Sequence, residues 1–126
     1  MTHTSLLGRY TIIIRSKGQA GSELPYCMGV YRLCDFKHGK PVYKQDGGEH
    51  YLYFHVKSKM WMVGPRPNHS YAWLRNRSEG QSSDVLAFAT GWQYQPIARE
   101  GNPDPAWMDD DATLKVEAIG GEFRGG

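Results

Sequence analysis

Between Pro41 and Val63 the chain alternates strand-forming runs with turn residues so closely that an antiparallel meander is the natural way to fold it. Pro41-Val42-Tyr43-Lys44-Gln45 is followed by Asp46-Gly47-Gly48, then by Tyr51-Leu52-Tyr53-Phe54-His55-Val56. The turn Lys57-Ser58-Lys59 then leads into Met60-Trp61-Met62-Val63. Asp-Gly supplies the positive φ that a tight hairpin needs. Pro41 opens its strand, where a missing N–H is tolerated. Successive side chains point to opposite faces of a strand. Leu52, Phe54 and Val56 are therefore expected on one face, and Tyr51, Tyr53 and His55 on an amphipathic, wetter one.

The remaining chain extends the same pattern. Residues 9–15, with three consecutive isoleucines, read as a strand, as do 30–33, 71–75, 91–95 and 113–119. Val-Leu-Ala-Phe-Ala within 84–90 is too short to decide between strand and helical turn. Residues 16–25 read as a loop, His38-Gly39 as a turn, and 64–68 and 76–84 as further loops. Residues 96–106, with Pro96, Pro103 and Pro105, form a long loop in which Asp104-Pro105 would cap one helical turn through Trp107 and Met108. Residues 120–126 read as a flexible tail. The expected fold is all-β and mostly antiparallel, a small sandwich or barrel of about eight short strands at a spacing of roughly 10–12 residues. A Trp recurs in short strands at Trp61, Trp73 and Trp92, hinting at a repeated hairpin unit. At 126 residues and 40% apolar, one domain over 1–126 with its core in about 8–119 is expected, able to bury a core without staples.

Net charge is +2, but it is unevenly placed. Residues 32–77 hold nine Lys/Arg and three acids, whereas 78–126 hold three bases and nine acids. That polarity permits a basic patch or head-to-tail self-association. Cys27 and Cys34 lie about 23 Å apart along an extended strand, so pairing would require a turn between them. Two thiols packed as small hydrophobes are the expectation, with a disulfide as the alternative. No apolar run is long enough to span a membrane. The first residues do not read as a signal peptide, so the chain, if complete, reads as cytoplasmic.

From Gly39-Lys40-Pro41-Val42-Tyr43-Lys44 onward a fixed order of motifs appears: Tyr51-Leu52-Tyr53-Phe54, Trp61-Met62-Val63-Gly64, Trp73-Leu74-Arg75, Gly91-Trp92, and Trp107 before an acidic turn. This order, over residues 28–118, resembles a small β-rich module found within multidomain proteins of protists and marine invertebrates. The commonest form of that module has Asn before the first Gly, where His38 stands here. The shared residues are turn glycines, a strand-opening proline and aromatics, so the resemblance implies fold, and recognition only by analogy.

Candidates for chemistry are thin. His38, His50, His55 and His69 lack metal-ligand spacing, and His50 and His55, five apart on one strand, face opposite sides. Asp109-Asp110-Asp111 lacks the pattern of a calcium loop and reads as a solvated turn. Ser70, Ser78, Ser82 and Ser83 lie in loops, with His69 beside Ser70, but no nucleophile elbow surrounds them. No metal, cofactor or catalytic residue is assigned, and a metal-independent hydrolase is the weakest alternative. The terminal Arg124-Gly125-Gly126 resembles a ubiquitin-like tail without the rest of that unit.

The aromatic content points elsewhere. Eight Tyr and four Trp exceed what one small core needs, and rings left partly exposed make good anchors for protein or glycan ligands. Trp61, Trp92 and Trp107 sit in compact strand–turn contexts that suit a core, whereas Trp73, framed by Tyr71 and Arg75, is expected to be partly exposed. Tyr53, Trp61, Trp73, Arg75 and Arg77 are the candidate ligand-binding set. A non-catalytic module binding a protein or carbohydrate is the leading expectation. The alternative is single-stranded nucleic acid, stacked on Tyr51, Tyr53, Trp61 and Trp73 while Lys57, Lys59, Arg75 and Arg77 follow phosphates.

Overall fold

His38 and Gly39 both adopt positive φ, 54° and 76°, and turn the chain between two strands whose last partners are Lys37 and Lys40. Gly takes this conformation freely and His does so at a cost, which accounts for Asn being the more usual residue before such a glycine. The computed structural model describes residues 11–67, 72–76, 92–98, 100–109 and 114–118. Their strands are β1 (Thr11–Arg15), β2 (Gly29–Lys37), β3 (Lys40–Gln45), β4 (Tyr51–His55), β5 (Met60–Gly64), β6 (Leu74–Asn76), β7 (Trp92–Tyr94), β8 (Met108–Asp109) and β9 (Lys115–Ala118).

All nine belong to one sheet, in the order β8-β7-β6-β5-β4-β3-β2-β1-β9. Every neighbouring pair is antiparallel. The sheet curls into a half-barrel. The first eight strands are a simple meander, and β9 returns to the far side of β1, pairing Ile14 with Val116. The expected strands and the 41–63 meander are present, and the sheet is single rather than divided into two packed layers among the described residues. Tyr71, Arg77, the 84–90 segment and the 120–126 tail lie outside the described residues.

Cross-strand partners share a face of a sheet, so the register assigns the two sides. Leu33, Tyr43, Leu52, Val63, Leu74 and Tyr94 form one continuous row across β2 to β7. That side carries the larger core, joined by Ile12, Ile14, Tyr31, Trp61, Trp92 and Leu114. The opposite side carries a smaller cluster of Val42, Tyr53, Met62 and Ala72, with Tyr51 and Met60 against it. The expected wet face of β4 is therefore corrected: Tyr53 is 1% exposed and His55 6%. Alternation predicts which side a residue faces but not whether that side is covered, and here both faces of the sheet carry buried clusters.

Two more expectations are revised. Residues 16–25 do not form a plain loop: helix α1 (Gln19–Glu23) and a 3-10 turn (Pro25–Cys27) lie there. Ala20 in the helix, Leu24 at its C-cap and Cys27 in the 3-10 turn are buried in the larger core, and their burial holds this glycine-rich segment against the sheet. Tyr31 ties this cap to the sheet through its hydroxyl, which donates to the Cys27 carbonyl over 2.6 Å. Second, Met108 lies not in a helical turn but in β8, paired with Tyr94.

The cysteines are unpaired, Cys27 buried and Cys34 exposed. A register shift between Leu33 and Asp35 leaves Cys34 as the extra residue of a β-bulge, turned out of the ladder. Burial pushes the Cys27 thiol up to about 12.

Candidate functional site

Gln45, at the end of β3, is buried to 8% exposure, so its amide must find partners. Its Nε2 donates to the carbonyls of Tyr26 (2.7 Å) and Met28 (3.0 Å). That fixes the orientation of the amide and leaves Oε1 as an acceptor, 2.9 Å from His50 Nδ1. His50 Nδ1 therefore carries the proton and donates it, and Nε2 is the basic nitrogen. A Cβ at Gly48 would collide with the Gln45 amide oxygen, so any side chain there must push that hydrogen-bonded amide aside. One buried amide thus joins the 3-10 turn to the β3–β4 hairpin.

These contacts place three rings in a row. Tyr26 stacks on His50 at 5.6 Å between centroids, and the Trp73 and His50 rings meet in a T-shaped contact at 4.9 Å. Burial lowers the His50 pKa from its ordinary 6.5, with Glu49 pulling in the opposite direction. Trp73 is held by its backbone: its N–H donates to the Val63 carbonyl and its carbonyl accepts from Gln95 N–H, at 2.8 and 2.9 Å. It is half-buried, packed against the larger core on one side.

On its other side Trp73 borders a cleft of about 280 Å³. Its lining is Tyr26, Trp73 and the segments Gln95–Ala98 and Pro103–Pro105. Gln95 Nε2 donates to the Pro105 carbonyl over 2.9 Å, which fastens those two segments to each other. Tyr26 and Ile97, each 43% exposed, stand in this lining. The cleft thus brings Tyr26 together with a proline-containing segment some seventy residues later in the chain.

Of the candidate ligand-binding set, Trp73 alone lines this cleft among the described residues. Tyr53 and Trp61 are each 1% exposed, so neither offers an open ring, and they belong to different core clusters. Trp61 packs edge-on against Phe54 at 5.7 Å, the usual arrangement of core aromatics. Burial also raises the Tyr53 hydroxyl pKa. Arg75 pairs in register with Met62, on the side of the smaller cluster. There its Nε donates to Gln93 Oε1, and Gln93 Nε2 donates to Asp109 Oδ1, both over 2.9 Å. Its guanidinium also covers the half-buried Trp107 ring at 4.2 Å. Arg75 therefore braces β6, β7 and β8. Arg77 lies outside the described residues. The stacking platform expected for nucleic acid loses Tyr53 and Trp61 for the same reason of burial.

Sequence reasoning missed Tyr26, Gln45 and His50 as a group. Trp92 is enclosed at 3% exposure, in keeping with its expected place in the core. His55 serves the fold: its Nδ1 takes the Ser58 hydroxyl at 2.6 Å and the Ser58 N–H at 3.3 Å, closing the β4–β5 turn. His69 and the serines at 70, 78, 82 and 83 lie outside the described residues. Among the described residues no cluster of His, Cys, Asp and Glu is arranged to hold a metal ion, and no helix is long and apolar enough to cross a membrane. The chain matches no family model, no curated protein and no solved structure.

Proposed function

We propose that this chain is a non-catalytic recognition module that takes a protein or carbohydrate ligand in the cleft beside Trp73. One observation carries the reading. A half-buried indole, positioned by backbone hydrogen bonds and backed by the core, borders a groove whose rim includes the exposed Tyr26 and Ile97. Rigid aromatic rings of this kind give binding energy at small entropic cost, because they are immobilised before the ligand arrives. The resemblance to a module distributed among multidomain proteins supports the same reading by analogy.

The test is a panel of oligosaccharides and peptides titrated into the protein while the Trp73 indole N–H resonance is followed by NMR, assigned with a Trp73→Phe variant. A ligand of this site is expected to shift that resonance. Tyr26→Ala combined with Ile97→Ser is expected to weaken it at least tenfold, about 1.4 kcal/mol, while the thermal melt stays unchanged. A ligand that binds the double variant as tightly as the parent places recognition elsewhere.

A further inference from the structure

The chemistry of the cleft narrows its ligand. Pro96, Pro103 and Pro105 stand in the lining and have no N–H to offer a ligand. Gln95, the one amide side chain there, already spends an Nε2 hydrogen on Pro105. Rings, an isoleucine and an alanine make up most of the rest. A sugar must exchange water on many hydroxyls for protein donors and acceptors alike, and an unmatched polar group is costly. A polyproline-II segment makes a smaller demand. With three residues per turn, two edges present pyrrolidine and aliphatic surface, while carbonyls on the third remain in water.

Charge adds a second selection. Among the described lining residues the charged side chain is Asp104, an exposed carboxylate, with no Lys or Arg among them. A polyphosphate strand is repelled there, and a Lys or Arg is attracted. Size agrees: at about 280 Å³ the cleft falls just short of pockets that engulf a small molecule, ~300–1,000 Å³, and suits a few residues of a chain running across it.

We propose that the Trp73 cleft binds an extended proline-rich peptide carrying a basic residue, with proline rings against Tyr26 and Trp73 and the base beside Asp104. This rests on the cleft being the binding site, and the experiment separates the two claims. Fluorescein-labelled decapeptides built from proline, leucine and one Arg, with the Arg placed at each position in turn, are titrated by anisotropy against the full chain. The same series with Glu for Arg, a Gly/Ser series without proline, chitohexaose, and a thymidine decanucleotide serve as the comparison probes.

At least one Arg peptide is expected to bind, with its Glu counterpart and its proline-free counterpart each at least tenfold weaker. Asp104→Lys is expected to reverse the Arg/Glu preference, a readout that a merely structural role would not produce. Tyr26→Ala is expected to weaken the Arg peptide at least tenfold. If chitohexaose shifts the Trp73 indole and no peptide does, the peptide proposal falls and the cleft remains a binding site. If no probe shifts that indole, or the oligonucleotide binds regardless of Tyr26→Ala, both claims fall. The turn Pro65-Arg66-Pro67, with Arg66 exposed and both prolines half-buried, has the proposed ligand's own chemistry. A concentration-dependent dimer abolished by Arg66→Glu would overturn the proposal in favour of a second copy of this chain.

Discussion

His50 concentrates in one side chain what the ring row depends on. Its Nδ1–H is committed to Gln45, and its ring has two aromatic neighbours. Burial makes the imidazolium harder to form in the fold than in the open chain, against the weaker pull of Glu49. The unfolded chain therefore binds this proton more readily. The contribution of His50 to stability is whole above the ordinary value of 6.5 and declines as pH falls below it, through the lowered folded value. In urea melts between pH 7.5 and 5, the stability advantage of the parent over His50→Gln is expected to shrink as the pH drops. An advantage that grows with acid would show that the fold favours the imidazolium. The role was invisible beforehand because it comes from Tyr26 and Trp73, more than twenty residues away on either side, whereas spacing rules judge only near neighbours. Trp73, by contrast, was legible: an indole at a strand end between Tyr71 and Arg75 has no local reason to be enclosed.

At the level of elements, the β3–β4 hairpin and the 16–28 cap succeed or fail together. Asp46-Gly47-Gly48 announces a turn in the sequence, but only the structure shows that Gly48 makes room for the Gln45 amide, which in turn holds the Tyr26 and Met28 carbonyls. Gly48→Ala is expected to push that amide off its partners. The loss of two buried hydrogen bonds costs about 1–3 kcal/mol in a urea melt. It should also broaden or shift the Tyr26 and Trp73 ring resonances, while the Trp61 indole, buried near the middle of the sheet, stays in place. An unchanged Tyr26 environment would show that Gln45 does not govern the row. The cap itself was misread because its glycines and serine argue for a loop, while its helical signal is only three small or apolar residues, Ala20, Leu24 and Cys27. Tertiary burial overrides a weak local propensity of this size.

For the molecule as a whole, the meander was legible because each strand pairs with its sequence neighbour across turns that the composition announces. The coverage of each face was not, because it depends on what packs against the sheet. Both faces carry buried clusters, and Tyr53 and His55, which alternation alone assigned to water, are buried. The strand order grades stability across the sheet. Strands β3, β4 and β5 pair on both sides, and each contributes to both clusters. At one edge, β8 has two residues, both exposed, Met108 among them at 47%. Opening free energies follow local burial and the number of protected ladders. Native-state hydrogen exchange is therefore expected to be slowest in β3–β5 and β1, intermediate in β6 and β7, and fastest in β8. The cleft hangs on this gradient, since Trp73 donates to β5 while Gln95–Ala98 and Pro103–Pro105 flank β7 and β8. The lining thus joins a residue tied to the centre of the sheet with segments at its yielding edge. A ligand in the cleft should slow exchange in β7 and β8 and leave β3–β5 unaltered. Uniform slowing across the sheet would mean that the lining already moves as one body.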